Sequence, residues 1–327
     1  MVKDMKEIWV YAETRKSKVV PVFEELVSKA RELTADRTAC KVCGVVIGKD
    51  AAEEAKSYGV DKLYVVDGED LSEYDADYYG QALTAAAEEY DPDVILFGAT
   101  VQGSELAPTA ACKLKTGLAA HCVNITVNPK DEMAFWVPAF GGNVIGEILV
   151  PNHRPQMASV KPGILGKTKY KKNTATEVIT FGWKAESSRK TKPTEIRQKV
   201  FTGARLEDAE LVIGAGRGIT KQESWDNLTA VAEKLGAAVG YTRSFVDRGF
   251  VPDERDMIGT SGKSVTPKVY IGIGISGAAH HVAGMSKSGK IISINKDSKA
   301  KIFEISDYKV VADSNAVLTA LAQKLSK

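Results

Sequence analysis

Apolar and polar positions along this chain fall into two alternating rhythms. Short, nearly continuous apolar runs occur at Ile8–Ala12, Val42–Ile47, Leu63–Val66 and Asp93–Gly98. Runs of that length read as buried strands. Between them, apolar residues recur at helical spacing over Val19–Leu33, Ala51–Tyr58, Ala76–Tyr90 and Gly103–Lys115. Regular β-α alternation with short connections predicts a parallel sheet covered on both faces. The rhythm then changes. Cys122–Val127, Met133–Ala139, Gly146–Val150, Gln156–Val160 and Glu177–Phe181 follow as strands with little helix between them, which predicts an antiparallel extension.

From Phe181 to Glu195 the sequence FGWKAESSRKTKPTE loses periodicity and gains Ser, Lys, Arg and Pro, the composition of a linker. The alternation restarts after it. Ala209–Ile213, Ala237–Gly240 and Ile291–Ile294 read as strands, and Lys221–Gly236 and Ala316–Lys324 as helices. The expected architecture is therefore a two-domain α/β protein. A parallel-sheet domain with its antiparallel extension covers 1–190, and a smaller, doubly wound α/β domain covers 195–327.

The most informative stretch runs from Gly259 to Asn295. Val269–Ile275 is an apolar run that stops at Ser276-Gly277 and passes into Ala278-Ala279-His280-His281. This reads as a strand, a Gly-rich turn and a helix start, with Ser276 placed to cap the helix. Free N–H groups and the positive end of the helix dipole suit such a turn to a diphosphate. Gly272, Gly274 and Gly277 satisfy G-x-G-x-x-G after a strand. The next strand ends in Asn295, where a nicotinamide dinucleotide site would carry an acid for the ribose. A second Gly-rich turn, Gly214–Gly218, holds Arg217. Parallel strands would aim both turns at one sheet edge, which favours a phosphate or cofactor role for Arg217.

Other constellations carry less. Gly259-Thr260-Ser261-Gly262-Lys263-Ser264 falls short of a P-loop, because the first glycine of that motif is replaced by Met257 and no strand precedes it. His280 and His281 project about 100° apart on a helix, so only one can face a ligand at its start. His121 and His153 are isolated. Cys40 and Cys43 form C-x-x-C inside an apolar strand pattern rather than at a helix start, and no second pair completes a zinc site. No G-x-S-x-G occurs. Hydrolytic and metal chemistry find no support.

Composition narrows the class further. The 327 residues carry a formal charge of +2, with 44% hydrophobic and 26% charged residues. That balance gives no reason to invoke nucleic acid or an anionic membrane. No apolar run approaches the roughly 20 residues of a membrane helix. The start, MVKDMKEIWVYAE, has no signal-peptide core, so the expectation is a cytoplasmic protein.

Taken together, TSGKSVTPKVYIGIGISGAAHHVAGM, IISINKD and YKVVAD closely resemble the signature of electron-transfer flavoprotein α subunits, as do GAGRGI and YTRSFVDRGFVPDE. In the first domain WVYAE, DPDVILFGAT, PAFGGN and RPQMASVKPG resemble the same family. The resemblance implies a heterodimer with a β subunit, in which the C-terminal domain binds extended FAD as a mobile head. It implies an electron carrier rather than an enzyme on its own, working through an anionic semiquinone. The implied partner is an acyl-CoA dehydrogenase or similar flavoprotein dehydrogenase, with NADH and ferredoxin added in members that bifurcate electrons. Carried over to this chain, Arg217 would contact the adenine-side portion of FAD, and Thr242 and Arg243 would lie at the flavin. Ile258, Gly259, Thr260 and Ser261 would line the ring, with Ser261 near N5. Ser276, Gly277, Ala278 and Ala279 would form the diphosphate turn, with His280 close by and His281 at the pyrimidine edge. Asn295, Asp313 and Ser314 would hold ribose and adenine. This chain departs from many members at Thr260-Ser261, where they read Q-T, and at His280, where they have Gln.

Two readings from other classes stand beside this one. An NAD(P)-linked dehydrogenase would use Gly272-x-Gly274-x-x-Gly277 but lacks the ribose acid. A nucleotide-binding regulatory module would place AMP or ATP in the first domain, which shows no phosphate loop.

Overall fold

A computed structural model describes residues 4–36, 39–139, 144–166, 176–185, 189, 191, 194–195, 206, 209–251 and 254–325. Parts of the linker, of PAFGGN and of VPDE lie outside them. The chain divides into two compact units, Met1–Ile196 and Arg197–Lys327.

In the first unit the chain runs β1 (Glu7–Tyr11), a small hairpin of β2 (Thr14–Arg15) and β3 (Lys18–Val19), α1 (Val22–Leu33), β4 (Lys41–Ile47), α2 (Ala52–Lys56), β5 (Lys62–Asp67), α3 (Ala76–Tyr90), β6 (Val94–Gly98) and α4 (Val101–Lys113). It continues through β7 (Leu118–Cys122), β8 (Asn124–Val127), β9 (Met133–Ala139), β10 (Val144–Ile148), β11 (Gln156–Val160) and β12 (Glu177–Gly182). Seven of these strands make one parallel sheet in the order β12-β5-β4-β1-β6-β11-β7. β6 and β11 are buried along their whole length, as expected of apolar runs covered on both sides. One core layer packs α1 and α2 against the sheet, the other α3 and α4. Local chemistry sets the helix starts. The Asp75 carboxylate accepts from the Asp77 and Tyr78 N–H groups at 3.0 Å, capping α3. The Thr100 hydroxyl accepts from the Gly103 N–H at 2.9 Å, which brings α4 in two residues ahead of its apolar pattern.

The antiparallel extension is smaller than its strand signals suggest. Of the strands expected in it, β8, β9 and β10 pair antiparallel among the described residues. β11 inserts between β6 and β7, and β12 joins β5, all parallel. The single strand expected over Cys122–Val127 is two, β7 and β8, in different sheets. Period-2 patterning reports that a segment is extended and buried, but not which neighbour it takes. Cys40 and Cys43 are buried and unbridged, and burial pushes the Cys43 thiol far above its ordinary value.

The crevice between β1 and β6, where the strand order reverses, is filled by protein groups. Thr100 donates its hydroxyl to the buried Glu13 carboxylate, and Gln102 donates to the Tyr11 hydroxyl at 2.8 Å. A phosphate entering there would meet a carboxylate.

The second unit contains β13 (Leu211–Ala215), α5 (Gln222–Leu235), β14 (Ala238–Tyr241), α6 (Arg243–Val246), β15 (Val269–Ile273), α7 (Ala279–Val282), β16 (Lys290–Asn295), β17 (Tyr308–Val311) and α8 (Ser314–Leu325). Its five strands are parallel in the order β14-β13-β15-β16-β17. α5, α8 and Phe245 cover one face; Ile258, Met285, Ile302 and Phe303 belong to the core on the other. α6 and β17 were not marked by the sequence pattern. The strand order reverses between β13 and β15, so ligands are expected outside the carboxyl ends of those strands.

Candidate functional site

Both Gly-rich turns leave the sheet at that reversal, and they lock together. The Gly216 N–H donates to the Ile273 carbonyl at 2.8 Å and the Gly218 N–H to the Gly274 carbonyl at 2.9 Å. A Cβ on Gly216 would lie 2.3 Å from the Gly274 carbonyl oxygen, so the approach requires glycine. Gly274 and Gly277 turn the chain with φ of 69° and 86°. Gly272 is different. It lies inside β15, opposite Gly214 on β13, and the two glycines make room for the Tyr270 ring. The first glycine of the apparent fingerprint serves packing, not the turn.

Beyond Gly274 the backbone opens. Among the described residues no protein acceptor takes the N–H groups of Ser276, Gly277, Ala278, Ala279 or His280. All of these except Gly277 are exposed. α7 is a single turn with Ala278 at its cap position, so Ser276 sits two residues too early to cap it. The run of N–H groups without a protein acceptor survives that correction, and such a run offers donors to an anion. Arg217 is exposed beside the interlocked turn, and no carboxylate among the described residues pairs with it. A diphosphate fits this donor set.

The other expected residues cluster along the same sheet edge. Thr242 follows β14 at the cap position of α6, is buried, and donates its N–H to the Ala215 carbonyl at 3.0 Å. Arg243 is 61% exposed and pairs with Glu254 at 2.6 Å and Asp247 at 3.5 Å. The segment Ile258–Ser261 is stitched to α7. The Thr260 N–H donates to the His280 carbonyl at 2.9 Å, and the Thr260 hydroxyl lies 3.1 Å from His280 Nδ1. Gly259 is backed against the His280 carbonyl, 2.8 Å from where a Cβ would stand. Ser261 is exposed with no partner among the described residues.

At the opposite end Asn295 holds the turn, donating to the Ile275 carbonyl at 2.8 Å and accepting from the Asp297 N–H at 2.9 Å. Asp313 caps α8 through the Asn315 and Ala316 N–H groups at 3.0 and 3.1 Å. Those bonds, led by the one from Ala316, hold its carboxyl below the usual range. Ser314 is buried at the start of α8. From β14 to β17 the edge crosses four strand gaps of about 4.8 Å, or roughly 19 Å in all, room for an extended dinucleotide.

The two histidines part company, as their 100° separation requires. His280 is exposed; His281 is 5% exposed, with both ring nitrogens engaged. Nδ1 lies 3.0 Å from the Ile258 carbonyl and Nε2 2.9 Å from the Tyr270 hydroxyl. Expected to offer its ring to the flavin, His281 is here a buried tie. Burial drives its pKa down to about 4 from an ordinary 6.5, against the opposing pull of the Ile258 bond. The imidazole is therefore neutral at pH 7. Between pH 6.5 and 4 the unfolded chain binds the proton that the folded one refuses. The stabilisation is complete above pH 6.5 and is lost as pH falls towards 4. We expect the second unit to lose up to about 3 kcal/mol across that window. Urea unfolding at stepped pH measures this, and His281→Gln should flatten the slope; an unchanged slope would clear His281.

The first unit contains a cleft of about 920 Å³ lined by Lys29, Arg31, Lys41, Asp61 and Asn124. Two of its cations are already matched, Arg31 to Asp61 at 2.8 Å and Lys29 to Glu32 at 2.7 Å. Among the described residues no group of three or more His, Cys, Asp and Glu side chains could hold a metal ion, and no helix is long and apolar enough to cross a membrane.

Residues 8–186 match the family model of the electron transfer flavoprotein domain, and 205–286 that of the electron transfer flavoprotein FAD-binding domain. The chain is 38% identical over 328 residues to the electron transfer flavoprotein subunit alpha of Thermoanaerobacterium thermosaccharolyticum, covering 99% of each chain. Against the subunit alpha of Megasphaera elsdenii it is 37% identical, covering 99% of this chain and 97% of the relative. Against the acryloyl-CoA reductase electron transfer subunit beta of Anaerotignum propionicum it is 34% identical, covering 95% and 93%. With both domain models matched in order, and a donor-lined sheet edge inside the FAD-binding one, the chain belongs to the electron transfer flavoprotein family as an α subunit.

Proposed function

We propose that this chain carries FAD at the β14–β17 edge of its second unit and, paired with a β subunit, passes electrons to or from a flavoprotein dehydrogenase acting on acyl-CoA substrates. The observation that carries the reading is the run of N–H groups from Ser276 to His280 that, like Arg217 beside them, have no partner among the described residues. The name of the Anaerotignum propionicum relative, an electron transfer subunit of an acryloyl-CoA reductase, supports the partner class.

FAD supplies the redox chemistry; the residues of this chain bind and tune it. In this reading Ser276–His280 and Arg217 receive the diphosphate, while Asn295, Asp313 and Ser314 lie towards the adenosine. Thr242, Arg243 and Ile258–Ser261 border the isoalloxazine, with the Ser261 hydroxyl free to bond the ring. A guanidinium there stabilises negative charge on the reduced ring and favours the anionic one-electron state, the one a single-electron carrier uses. Because His281 is neutral and already bonded to protein, that charge falls to Arg243 in this reading.

Co-expressed and purified with its β subunit, the protein is expected to be yellow, with FAD released on denaturation. Colourless protein that ignores added FAD would overturn the reading. The same absorbance count places the protein among simple or bifurcating carriers: one FAD per heterodimer for the former, two for a system that takes electrons from NADH and divides them between ferredoxin and the dehydrogenase.

A further inference from the structure

We propose that Tyr270 is a positioning residue of the FAD site: its hydroxyl locks the His281 imidazole in one orientation, and the imidazole in turn fixes the Ile258–Ser261 segment against α7. This inference rests on the FAD reading above for its functional consequence, though not for its geometry.

The direction of both bonds follows from the partners. A carbonyl can only accept, so His281 Nδ1 must carry the proton that points at Ile258. The neutral ring then has a bare Nε2, and the Tyr270 hydroxyl donates to it. Tyr270 is fully buried, and burial pushes its phenol far above the ordinary value, so the proton stays available for that bond. The ring is held from below as well. A Cβ on Gly214 would stand 1.9 Å from the Tyr270 oxygen, and one on Gly272 would stand 3.3 Å from its Cε1. Two strand glycines thus reserve space for this one side chain, with its hydroxyl under α7.

Without the hydroxyl, Nε2 becomes a buried acceptor with no partner, and the ring gains by turning away from its present orientation. Turning also releases the Ile258 carbonyl. Ile258 directly precedes Gly259, Thr260 and Ser261, the residues assigned to the isoalloxazine. The effect of Tyr270 on the cofactor is therefore transmitted through His281, without contact between the phenol and FAD.

The test uses Tyr270→Phe, which keeps the ring and its packing, in the full chain co-purified with its β subunit. With histidine ring nitrogens labelled and FAD stripped, the wild type should show His281 with a protonated Nδ1 and a hydrogen-bonded Nε2. In Tyr270→Phe the Nε2 resonance should move to the position of a non-bonded nitrogen. The FAD dissociation constant should rise about fivefold, the scale of one lost hydrogen bond. In a His281→Ala background the same Tyr270→Phe change should alter that constant less than twofold, because its route is gone. An unmoved Nε2 resonance, or an equal effect of Tyr270→Phe in both backgrounds, would overturn the positioning role and leave the FAD reading intact. Absence of FAD from the wild-type heterodimer would overturn that reading, while the nitrogen resonances would still decide whether Tyr270 holds the ring.

Discussion

Replacing Gly277 with Ala is expected to cost the second unit about 2–5 kcal/mol and to abolish FAD retention. Two penalties combine. Gly277 has φ of 86°, a left-handed conformation that costs an L-residue about 1–2 kcal/mol. The added Cβ would also stand 2.2 Å from the Ile302 nitrogen and 2.6 Å from its Cα, backbone atoms that cannot swing aside, and overpacking of this kind costs about 1–3 kcal/mol. The Ile302 N–H donates to the Ser276 carbonyl at 3.1 Å, so any shift that relieves the overlap moves the first residue of the anion seat. Gly236 provides the control. It has φ of 64° at the end of α5, but nothing lies within 4 Å of its would-be Cβ. Gly236→Ala should incur the conformational penalty alone and leave FAD in place. Thermal unfolding and FAD absorbance on the two co-purified variants separate the cases. Full FAD content in Gly277→Ala would remove the diphosphate from this turn.

The second large effect is expected at Arg243. Arg243→Ala should lower the constant for formation of the one-electron-reduced flavin about tenfold, with little change in FAD content. A unit charge near the ring is worth several kcal/mol if poorly screened. At 61% exposure, and with Glu254 and Asp247 already bound, most of that is lost to solvent and to the competing carboxylates. About 1.4 kcal/mol remains as a fair expectation, which is the tenfold change. Reductive titration followed by absorbance measures it, and an unchanged yield would place Arg243 outside the ring's environment. Arg243 leaves the end of β14, whereas Arg217 follows β13, so loss of Arg217 should weaken binding instead of altering the reduction.

The sequence of the second unit was legible where chemistry is local. The turn at Ser276–Ala279, the unmatched asparagine at 295 and the cation at 217 all stand out in short motifs, and the fold joins them on one sheet edge. Less legible were the roles that depend on a partner far along the chain. Gly272 looks like part of a phosphate fingerprint until Tyr270 and Gly214 are seen around it. Asn295 looks like a ligand residue alone, and its second bond, from the amide to the Ile275 carbonyl, is visible only in the fold. Tyr270 carries no motif signal at all, since an apolar run with a tyrosine in it reads only as a buried strand. The same limit misplaced β11 and β12, whose burial was evident but whose neighbours were not.

What the sequence determined by itself is the α/β class, the alternation that makes the sheets parallel, the two-part organisation and the family. Those rest on periodicity, turn chemistry and ordered motifs, which are properties of neighbouring residues. Only the tertiary structure decided that Thr100 donates to a buried Glu13 in the crevice of the first unit, and that both ring nitrogens of a buried His281 are engaged. It also decided that one strand glycine serves packing. These outcomes depend on which atoms meet across strands β1, β6, β13 and β15, where separations along the chain are large and burial sets the charge. A histidine has the same letter in water and under a tyrosine hydroxyl; the surroundings decide which nitrogen holds the proton and whether a second one binds.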